Sequence, residues 1–496
     1  MCRTQPAPIL IDYLPNLGTT LCNYRAGYRR HGNRDMVFMI AWLARAGTAA
    51  IAATAVAPAW AATGIVELAP LDPANAGDTA WMLTAAALVM LFALPGVLLL
   101  QAGRGTGHAA QSVFLHGGAI AALVSLLWVV VGYTLAFGDA SGGVIGSGNA
   151  WMMIALGNVR FGTAVPESAF VLFQIAGAML AAMLVAGAWA GRARFGWALA
   201  FGGLWSLIVY APVAHWIWGG GWLSGFGVLD FAGGIALHFC AGVSALVAAL
   251  MLGRRTGWPG AAVAAHNPLM AMAGAAMLFM GNFALTGGWT LAATDDASSA
   301  IINAHVAACV SALVWLLIEK LRTGQVSVMG LASGLIAGVA AIAPAAGLVS
   351  PGAAILIGLL AAPACYFALR FVTDTLAIDD SGNVFALHGV GGLVGALLVA
   401  LFVSASFGGV GYREGGGFGG QLLAQLIGLG AVGMWSILGT LIVGYGVAMA
   451  IPMRVSPEDE ASRLDRAMLD DPHPASVYPQ APVSAPATPV DPTPQA

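Results

Sequence analysis

Two copies of one short pattern decide the fold: Asp230-Phe-Ala-Gly-Gly-Ile-Ala-Leu-His238-Phe-Cys-Ala-Gly242, and Asp380-Ser-Gly-Asn-Val-Phe-Ala-Leu-His388-Gly-Val-Gly-Gly392. Both copies read D-x5-A-L-H-x3-G and lie in apolar surroundings. In a helix that rises 1.5 Å per residue, each histidine lies about 12 Å beyond its aspartate. Ionisable groups at membrane depth are rare and usually mark an ion or proton path. His238 and His388 are therefore the first candidate functional residues.

The composition around these copies is that of a membrane protein. Charged residues make up 8% of the 496 residues and apolar residues 59%, whereas soluble domains carry about a quarter charged residues. The formal net charge of -3 and the small number of Lys and Arg leave no basic surface for nucleic acid. The composition predicts an integral membrane protein and excludes nucleic-acid binding.

Eleven apolar segments are long enough to cross a hydrocarbon core of about 30 Å. They lie at about 80–101, 112–137, 167–190, 195–217, 230–252, 267–290, 299–318, 328–348, 352–371, 384–405 and 419–451. The sequence thus predicts an all-α protein with eleven transmembrane helices. The fifth and tenth segments, which carry the two copies, should cross in opposite directions, and inverted repeats that meet at the midplane are a common transporter plan.

Basic residues between the segments indicate the orientation. When successive loops are assigned to alternate sides, one side receives Arg104, Arg192, Arg194, Arg254, Arg255, Lys320, Arg322, Arg370, Arg454, Arg463 and Arg466. The other side receives only Arg160 and Arg413. The positive-inside rule makes the first side cytoplasmic. We therefore expect an inner (cell) membrane protein with Asp230 at the outer mouth, Asp380 at the inner mouth and a cytoplasmic C-terminus.

The N-terminal region fits that orientation. Residues 36–57 are apolar and are followed by Ala-Trp-Ala at 59–61, the small-x-small pattern of a signal-peptidase site. We predict that residues 1–61 comprise an extension and a cleaved signal peptide, which would place the mature N-terminus outside. The alternatives are an uncleaved first helix and a true start at Met36.

The rest of the chain divides into two parts. Residues 62–454 form the predicted membrane domain. Residues 455–496 form a cytoplasmic tail that is rich in Pro, Ala and Ser towards its end. Such a composition cannot bury a core, so we expect disorder from about residue 470.

Further motifs flank the two histidine segments in a characteristic order. They are Gly77-Asp-Thr-Ala-Trp81, Pro95-Gly96, Gly132-Tyr133-Thr-Leu-Ala-Phe137, Tyr210-Ala-Pro-Val-Ala-His215-Trp-Ile-Trp218-Gly-Gly-Gly-Trp222, His266-Asn267, Ser333-Gly334, Pro344-Ala-Ala-Gly347 and Asp379-Asp380. Together with the repeat, they resemble the ammonium transporter (Amt/Mep/Rh) family, in its bacterial form, from Gly77 to about Leu464.

The resemblance implies a homotrimer in membrane lipid. Each protomer would have its own narrow apolar pore between two inverted five-helix halves, with a peripheral eleventh helix. Ammonium or ammonia would be the substrate, and the paired histidines, His238 and His388, would share a hydrogen bond inside the pore. A PII signalling protein is a candidate partner at the cytoplasmic face. No nucleophile, metal cluster or phosphate loop stands out, so we expect no enzyme, cofactor or metal.

The resemblance also places an outer cation site. Trp218 and Phe173 match an aromatic wall for NH4+, where an indole face contributes about 0.5–2 kcal/mol. The alternative for Trp218 is a residue of the interfacial aromatic belt. Asp230 would be structural and would help poise the cation site through its buried charge. Asp380 is the corresponding carboxylate of the inner repeat.

The sequence departs from the family at the pore entrance. Two stacked phenylalanines usually gate the pore, but the matching positions are Gly177 and Leu285. The position of a usual hydroxyl residue is Trp289, one helical turn after Leu285 on the same face. Our hypothesis is that the Trp289 indole fills the lost volume and serves as both gate and cation wall. At the inner end, Asn383 stands where the family has aspartate.

Three functions remain open at this point. A transporter or channel for ammonium or ammonia leads. An ammonium sensor with low or no conduction is the alternative, because the entrance is altered while both histidines remain. A gas or small-amine pore of the Rh type is the third. We expect His116 and His305 to be structural residues in interhelical hydrogen bonds.

Overall fold

The computed structural model describes residues 74–462, apart from 142, 149–150, 155, 157–158 and 260–264. Within these residues the chain is helical except for loops and one short hairpin. The all-α membrane fold predicted from the sequence is confirmed. The signal peptide predicted in residues 1–61 and the disorder predicted from about residue 470 lie outside the described residues.

The helices are numbered in chain order. They are α1 Ala76–Arg104, α2 Ala110–Phe137, α3 Glu167–Trp189, α4 Phe195–Phe226, α5 Gly234–Leu252, α6 Pro268–Gly288, α7 Asp295–Thr323, α8 Val328–Ile342, α9 Pro351–Thr375, α10 Phe385–Phe402, α11 Phe418–Ala448 and α12 Pro457–Ser462. Antiparallel strands β1 Asp139–Ser141 and β2 Ile145–Ser147 follow α2, and short 3-10 turns occur at Gly107–Ala109, Trp151–Met153 and Ala405–Phe407.

The number of spans stays a prediction. In the described part of the chain, ten helices are long and apolar enough to cross a membrane. The eighth predicted span, 328–348, coincides with α8, which covers 15 residues or about 22 Å. The helix ends at Ile342, and Pro344, two residues further on, lacks the backbone N–H that another helical turn would need.

Side chains at the helix starts explain several boundaries. Asn75 Oδ1 accepts hydrogen bonds from the backbone N–H groups of Gly77 (2.8 Å) and Asp78 (3.2 Å) at the start of α1. Asn267 caps α6 in the same way, directly before Pro268. Asparagine at the cap and proline in the first turn are both favourable there.

The helices differ in how deeply they lie in the protomer. In the most apolar 18-residue stretch of each helix, 89% of α3 and 83% of α5 is buried, whereas only 39% of α11 is. α5 is therefore a central helix, and α11 lies at the periphery, as predicted. α5 packs against α10, which brings the two copies of the sequence repeat together.

Candidate functional site

The two repeat histidines meet in the interior. The Nδ1 atoms of His238 and His388 are 3.1 Å apart, and their rings lie nearly parallel with centroids 5.1 Å apart. The side chains are 2% and 3% exposed. This distance is that of a hydrogen bond, in which one imidazole donates and the other accepts.

Glycines allow α5 and α10 to approach this closely. A Cβ at Gly242 would lie 2.3 Å from the Cα of Gly389, and a Cβ at Gly392 would lie 2.2 Å from the carbonyl oxygen of Gly234. Gly242 and Gly392 are the last positions of the two repeat copies. The repeat therefore encodes both the histidines and the close contact that joins them.

The repeat aspartates lie just before the two helices and cap them. Asp230 Oδ2 accepts hydrogen bonds from the N–H groups of Ile235 (3.0 Å) and Ala236 (2.8 Å). Asp380 Oδ2 accepts one from Phe385 at 2.8 Å. The sequence predicted the first of the two spans to begin at 230, but α5 begins at Gly234. The reason is that the aspartate serves as an acceptor for the free N–H groups of the first turn.

Burial changes the acidity of both aspartates. It raises the pKa of Asp230 to about 7, although backbone N–H groups oppose the rise. Burial also raises the pKa of Asp380. In each carboxylate, Oδ1 has no hydrogen-bond partner within the described residues. The two aspartates thus stabilise the starts of α5 and α10, but each has a buried oxygen that has lost its hydrogen bonds to water.

The predicted outer residues form one aromatic cluster. The ring centroids of Trp218 and Trp289 are 4.3 Å apart, and that of Phe173 is 5.9 Å from Trp289. Trp218 Nε1 donates to the carbonyl oxygen of Asp230 at 2.8 Å, which links the cluster to the start of α5. Four residues assigned from the sequence to the outer cation site are therefore brought together.

The altered gate positions, Gly177 and Leu285, carry no aromatic ring. A Cβ at Gly177 would be 3.5 Å from the hydroxyl oxygen of Tyr210. Leu285 lies in α6, one turn before Trp289, and its side chain is 2% exposed. Trp289 is partly buried and also contacts Phe170, with centroids 6.5 Å apart.

Sequence reasoning missed a buried charge at the end of the protomer that carries Asp380, here called the inner end. Arg104 closes α1 and was counted among the loop residues, yet it is 6% exposed. Its Nη1 donates to the carbonyl oxygen of Gly382 at 3.4 Å and its Nη2 to Ser333 Oγ at 3.1 Å. The position of Arg104, three residues beyond the predicted span 80–101, gives no sequence signal of its burial.

A second ionic cluster lies at the same end. Arg255 binds the Asp379 carboxylate through Nε and Nη2, the latter at 2.7 Å from Oδ1, and Arg192 Nη1 lies 3.5 Å from Oδ2. Burial alone would raise the pKa of Asp379, but the two arginines hold it below its ordinary value. Burial lowers the pKa of Arg192 to about 10.

The two lone histidines are packed rather than hydrogen-bonded between helices. His116 Nε2 has no partner in the described structure, and its ring packs against Phe195. His305 is exposed on α7, packs against Phe279 of α6 and has its Nε2 near Cys309 of its own helix. The interhelical hydrogen bonds expected for these residues are therefore not what holds them. A structural role remains the interpretation of both.

Known proteins resemble the chain over most of its length. The profile described as the Ammonium Transporter Family matches residues 80–473. An ammonium transporter of Aquifex aeolicus is 37% identical over 389 residues, covering 78% of this chain and 90% of that protein. An ammonium transporter of Bacillus subtilis is 36% identical over 399 residues, covering 79% and 97%.

Solved structures show the same likeness. One described as "Sensor Amt Protein" has a TM-score of 0.74 at 29% sequence identity, covering 79% of this chain and 98% of that one. Candida albicans Mep2 has a TM-score of 0.71 at 33% identity, covering 78% and 87%.

Proposed function

The chain belongs to the ammonium transporter family, and from that premise we propose that it carries ammonium or ammonia through a pore in each protomer, with the His238–His388 pair as the central site. The observation that carries this proposal is the 3.1 Å contact between the Nδ1 atoms of two buried imidazoles. The rings come from two copies of one helix motif, as expected for a site at the interface of inverted repeats.

The shared hydrogen bond determines which hydrogen-bonding groups the histidine pair presents to a substrate. A neutral imidazole has one N–H donor and one acceptor nitrogen. If one Nδ1 donates to the other, the first ring presents its Nε2 as an acceptor and the second presents Nε2–H as a donor. Ammonia can accept from that donor through its lone pair and donate to that acceptor. The Nε2 of His238 is buried and has no partner in the described residues, so it is available for this role.

The apolar surroundings favour the neutral substrate. An unpaired charge at the bilayer centre costs from about 3 to more than 10 kcal/mol. Ammonia carries no charge and needs only the few polar contacts that the pair supplies. We therefore propose that NH3 passes the pair, and that a proton transferred along the shared hydrogen bond is the route by which charge could cross.

We propose that Trp218, Trp289 and Phe173 bind NH4+ at the outer end and that Trp289 also closes the entrance. The support is the aromatic cluster in which the two indole centroids lie 4.3 Å apart. Rings this close leave no room for an ion between them, so a cation would bind with the two indole rings further apart and facing it from two sides. Asp230, whose carbonyl oxygen holds the Trp218 indole, positions the wall.

A sensor with low or no conduction is the second candidate. One observation favours it: this chain matches the structure described as "Sensor Amt Protein" over 98% of that structure's length, with a TM-score of 0.74. The closed aromatic entrance fits a protein with low conduction. The intact histidine pair favours transport, and we keep transport as the leading proposal.

We also propose the assembly and orientation that the resemblance implies. These are a homotrimer in the inner membrane, an outer N-terminus, a cytoplasmic C-terminus and docking of a PII signalling protein at the cytoplasmic face. The described start of the tail supports a fixed position at the inner end. There, Arg454 Nη2 pairs with Glu460 Oε2 at 2.7 Å, and the backbone N–H of Thr256 donates to Glu460 Oε1 at 2.6 Å.

Growth of a transporter-deficient host on low ammonium tests the proposal, with uptake and ammonium binding measured on the same variants. His238→Ala should abolish uptake, because it removes half of the site. His305→Ala is the matched control, since it removes an exposed imidazole. Uptake by His238→Ala at the control level would refute the role of the pair, and specific binding without uptake by the unchanged protein would establish the sensor.

A further inference from the structure

Arg104 places a positive charge where the inner end of the pore should be. It ends α1, and its guanidinium hydrogen-bonds the Gly382 carbonyl and Ser333 Oγ. Gly382 belongs to the segment between Asp380 and α10, which carries His388.

Within the part of the chain that the structure describes, the Arg104 guanidinium has no direct counter-ion. No carboxylate in the described residues lies within ion-pair distance of Arg104, and its Nε has no hydrogen-bond partner there. Asp380 attracts it only from a longer distance. The nearest polar side chain is Asn383, whose amide oxygen accepts a hydrogen bond from Nη1 at 2.6 Å. A neutral amide therefore occupies the position where the family has a carboxylate.

The same guanidinium lines a cavity. This cavity of about 130 Å³ is bordered by Arg104, Arg255, Asp379, Asp380 and Asn383, with further residues of α9 and Trp258. It lies directly before the helix that carries His388. A small molecule in this cavity would lie beside Arg104.

We propose that Arg104 is the charge-selective element at the inner end of the pore, where it opposes NH4+ and lets neutral NH3 pass. This inference rests on the proposed function and adds a residue to it. A cation at the inner end meets the fixed like charge of Arg104, which has no carboxylate within ion-pair distance in the described residues. A neutral molecule meets only a hydrogen-bonding group.

Three substitutions separate charge from shape. Arg104→Met removes the charge and keeps most of the volume. Arg104→Lys keeps the charge, and Asn383→Asp adds a counter-charge beside an intact arginine. A unit charge about 10 Å from a bound cation, at an effective dielectric constant of about 20, changes the occupancy of that cation's site by on the order of tenfold. We therefore expect the charge moved per ammonium taken up to rise in Arg104→Met, by up to about tenfold and to no more than one charge per ammonium. We expect a smaller rise in Asn383→Asp and no rise in Arg104→Lys.

The experiment uses purified full-length protein in liposomes. An ammonium concentration jump gives the current on a supported membrane, and uptake into the same liposomes gives the amount of substrate moved. Asn383→Asp keeps the test decisive if Arg104→Met does not fold. An unchanged current-to-uptake ratio in the folded charge variants would overturn the inference, as would an equal rise in Arg104→Lys.

Failure of the inference and failure of the proposed function give different results. If the unchanged protein takes up ammonium but the current-to-uptake ratio does not depend on the charge at positions 104 and 383, only the inference fails. If neither the unchanged protein nor any variant takes up or binds ammonium, the proposed function fails and the inference with it. Uptake that begins only in Arg104→Met would support a positive barrier at this end.

Discussion

Replacing Gly242 with alanine tests whether close packing of α5 and α10 holds the two imidazoles together. The new Cβ would lie 2.3 Å from the Cα and 2.4 Å from the N of Gly389. These are backbone atoms and cannot rotate away. Reaching an ordinary carbon–carbon contact of about 3.5 Å requires the helices to separate by roughly 1 Å.

That separation is enough to break the histidine contact. The Nδ1 atoms of His238 and His388 start 3.1 Å apart, and a polar contact much beyond about 3.5 Å is no longer a hydrogen bond. A lost hydrogen bond costs about 1 kcal/mol and an overpacked interior about 1–3 kcal/mol. We expect Gly242→Ala to reduce ammonium uptake about fivefold or more and to lower the melting temperature of the purified protein.

Two other glycines provide a graded control. A Cβ at Gly389 would meet Phe385 Cδ2 at 3.0 Å and Gly242 Cα at 3.3 Å, whereas a Cβ at Gly430 on α11 would meet nothing within 4 Å. Uptake should therefore fall most in Gly242→Ala, less in Gly389→Ala and least in Gly430→Ala, at matched protein abundance. Equal uptake and equal melting temperatures for Gly242→Ala and Gly430→Ala would refute the reasoning.

Three further predictions concern the two ends of the protomer. Trp289→Ser should raise the half-saturating ammonium concentration for uptake, because it removes the indole that contacts Trp218 and a cation–π contribution of about 0.5–2 kcal/mol; unchanged concentration dependence would contradict this. Since burial raises the pKa of Asp230 to about 7, the folded protein retains a proton there that the unfolded chain has lost, so stability should fall as pH rises from about 4 to about 7. The melting temperature in detergent should drop less over that range for Asp230→Asn, and identical pH profiles would count against the shift. Glu460→Gln should speed protease cleavage of the tail, because it removes the carboxylate that pairs with Arg454, and cleavage at an unchanged rate would argue against this anchor.

Hydropathy predicted the membrane fold well but located helix ends less well. It reports which residues prefer hydrocarbon, whereas a helix continues into polar surroundings where its ends are favourable. α7 was predicted at 299–318 and runs from Asp295 to Thr323. Its extra turns carry Asp295 and Asp296 at the start and Lys320 and Arg322 at the end, the charges that stabilise the two poles of a helix dipole.

The central pair was predictable because its information is repeated in the chain. The match between the two copies pointed to both histidines, whereas the capping role of the aspartates and the close contact at Gly242 and Gly392 became known only from the structure. The burial of Arg104 was not predictable in this way. A single arginine at the end of an apolar segment has the same sequence pattern whether it faces water or the segment before α10, and only the packing of α1 against its neighbours decides between them.

The contact between the repeats also bears on the short helix α8. Gly242 lies against Gly389, while Gly234 lies against Gly392, so the chain order along α5 runs opposite to that along α10 and the two helices cross antiparallel. Consecutive spans alternate in direction, and an antiparallel pair must therefore be separated by an even number of spans. The long helices between them are α6, α7 and α9, which is an odd number. α8 must complete a crossing together with the turns that follow it, and this requirement supports the predicted count of eleven.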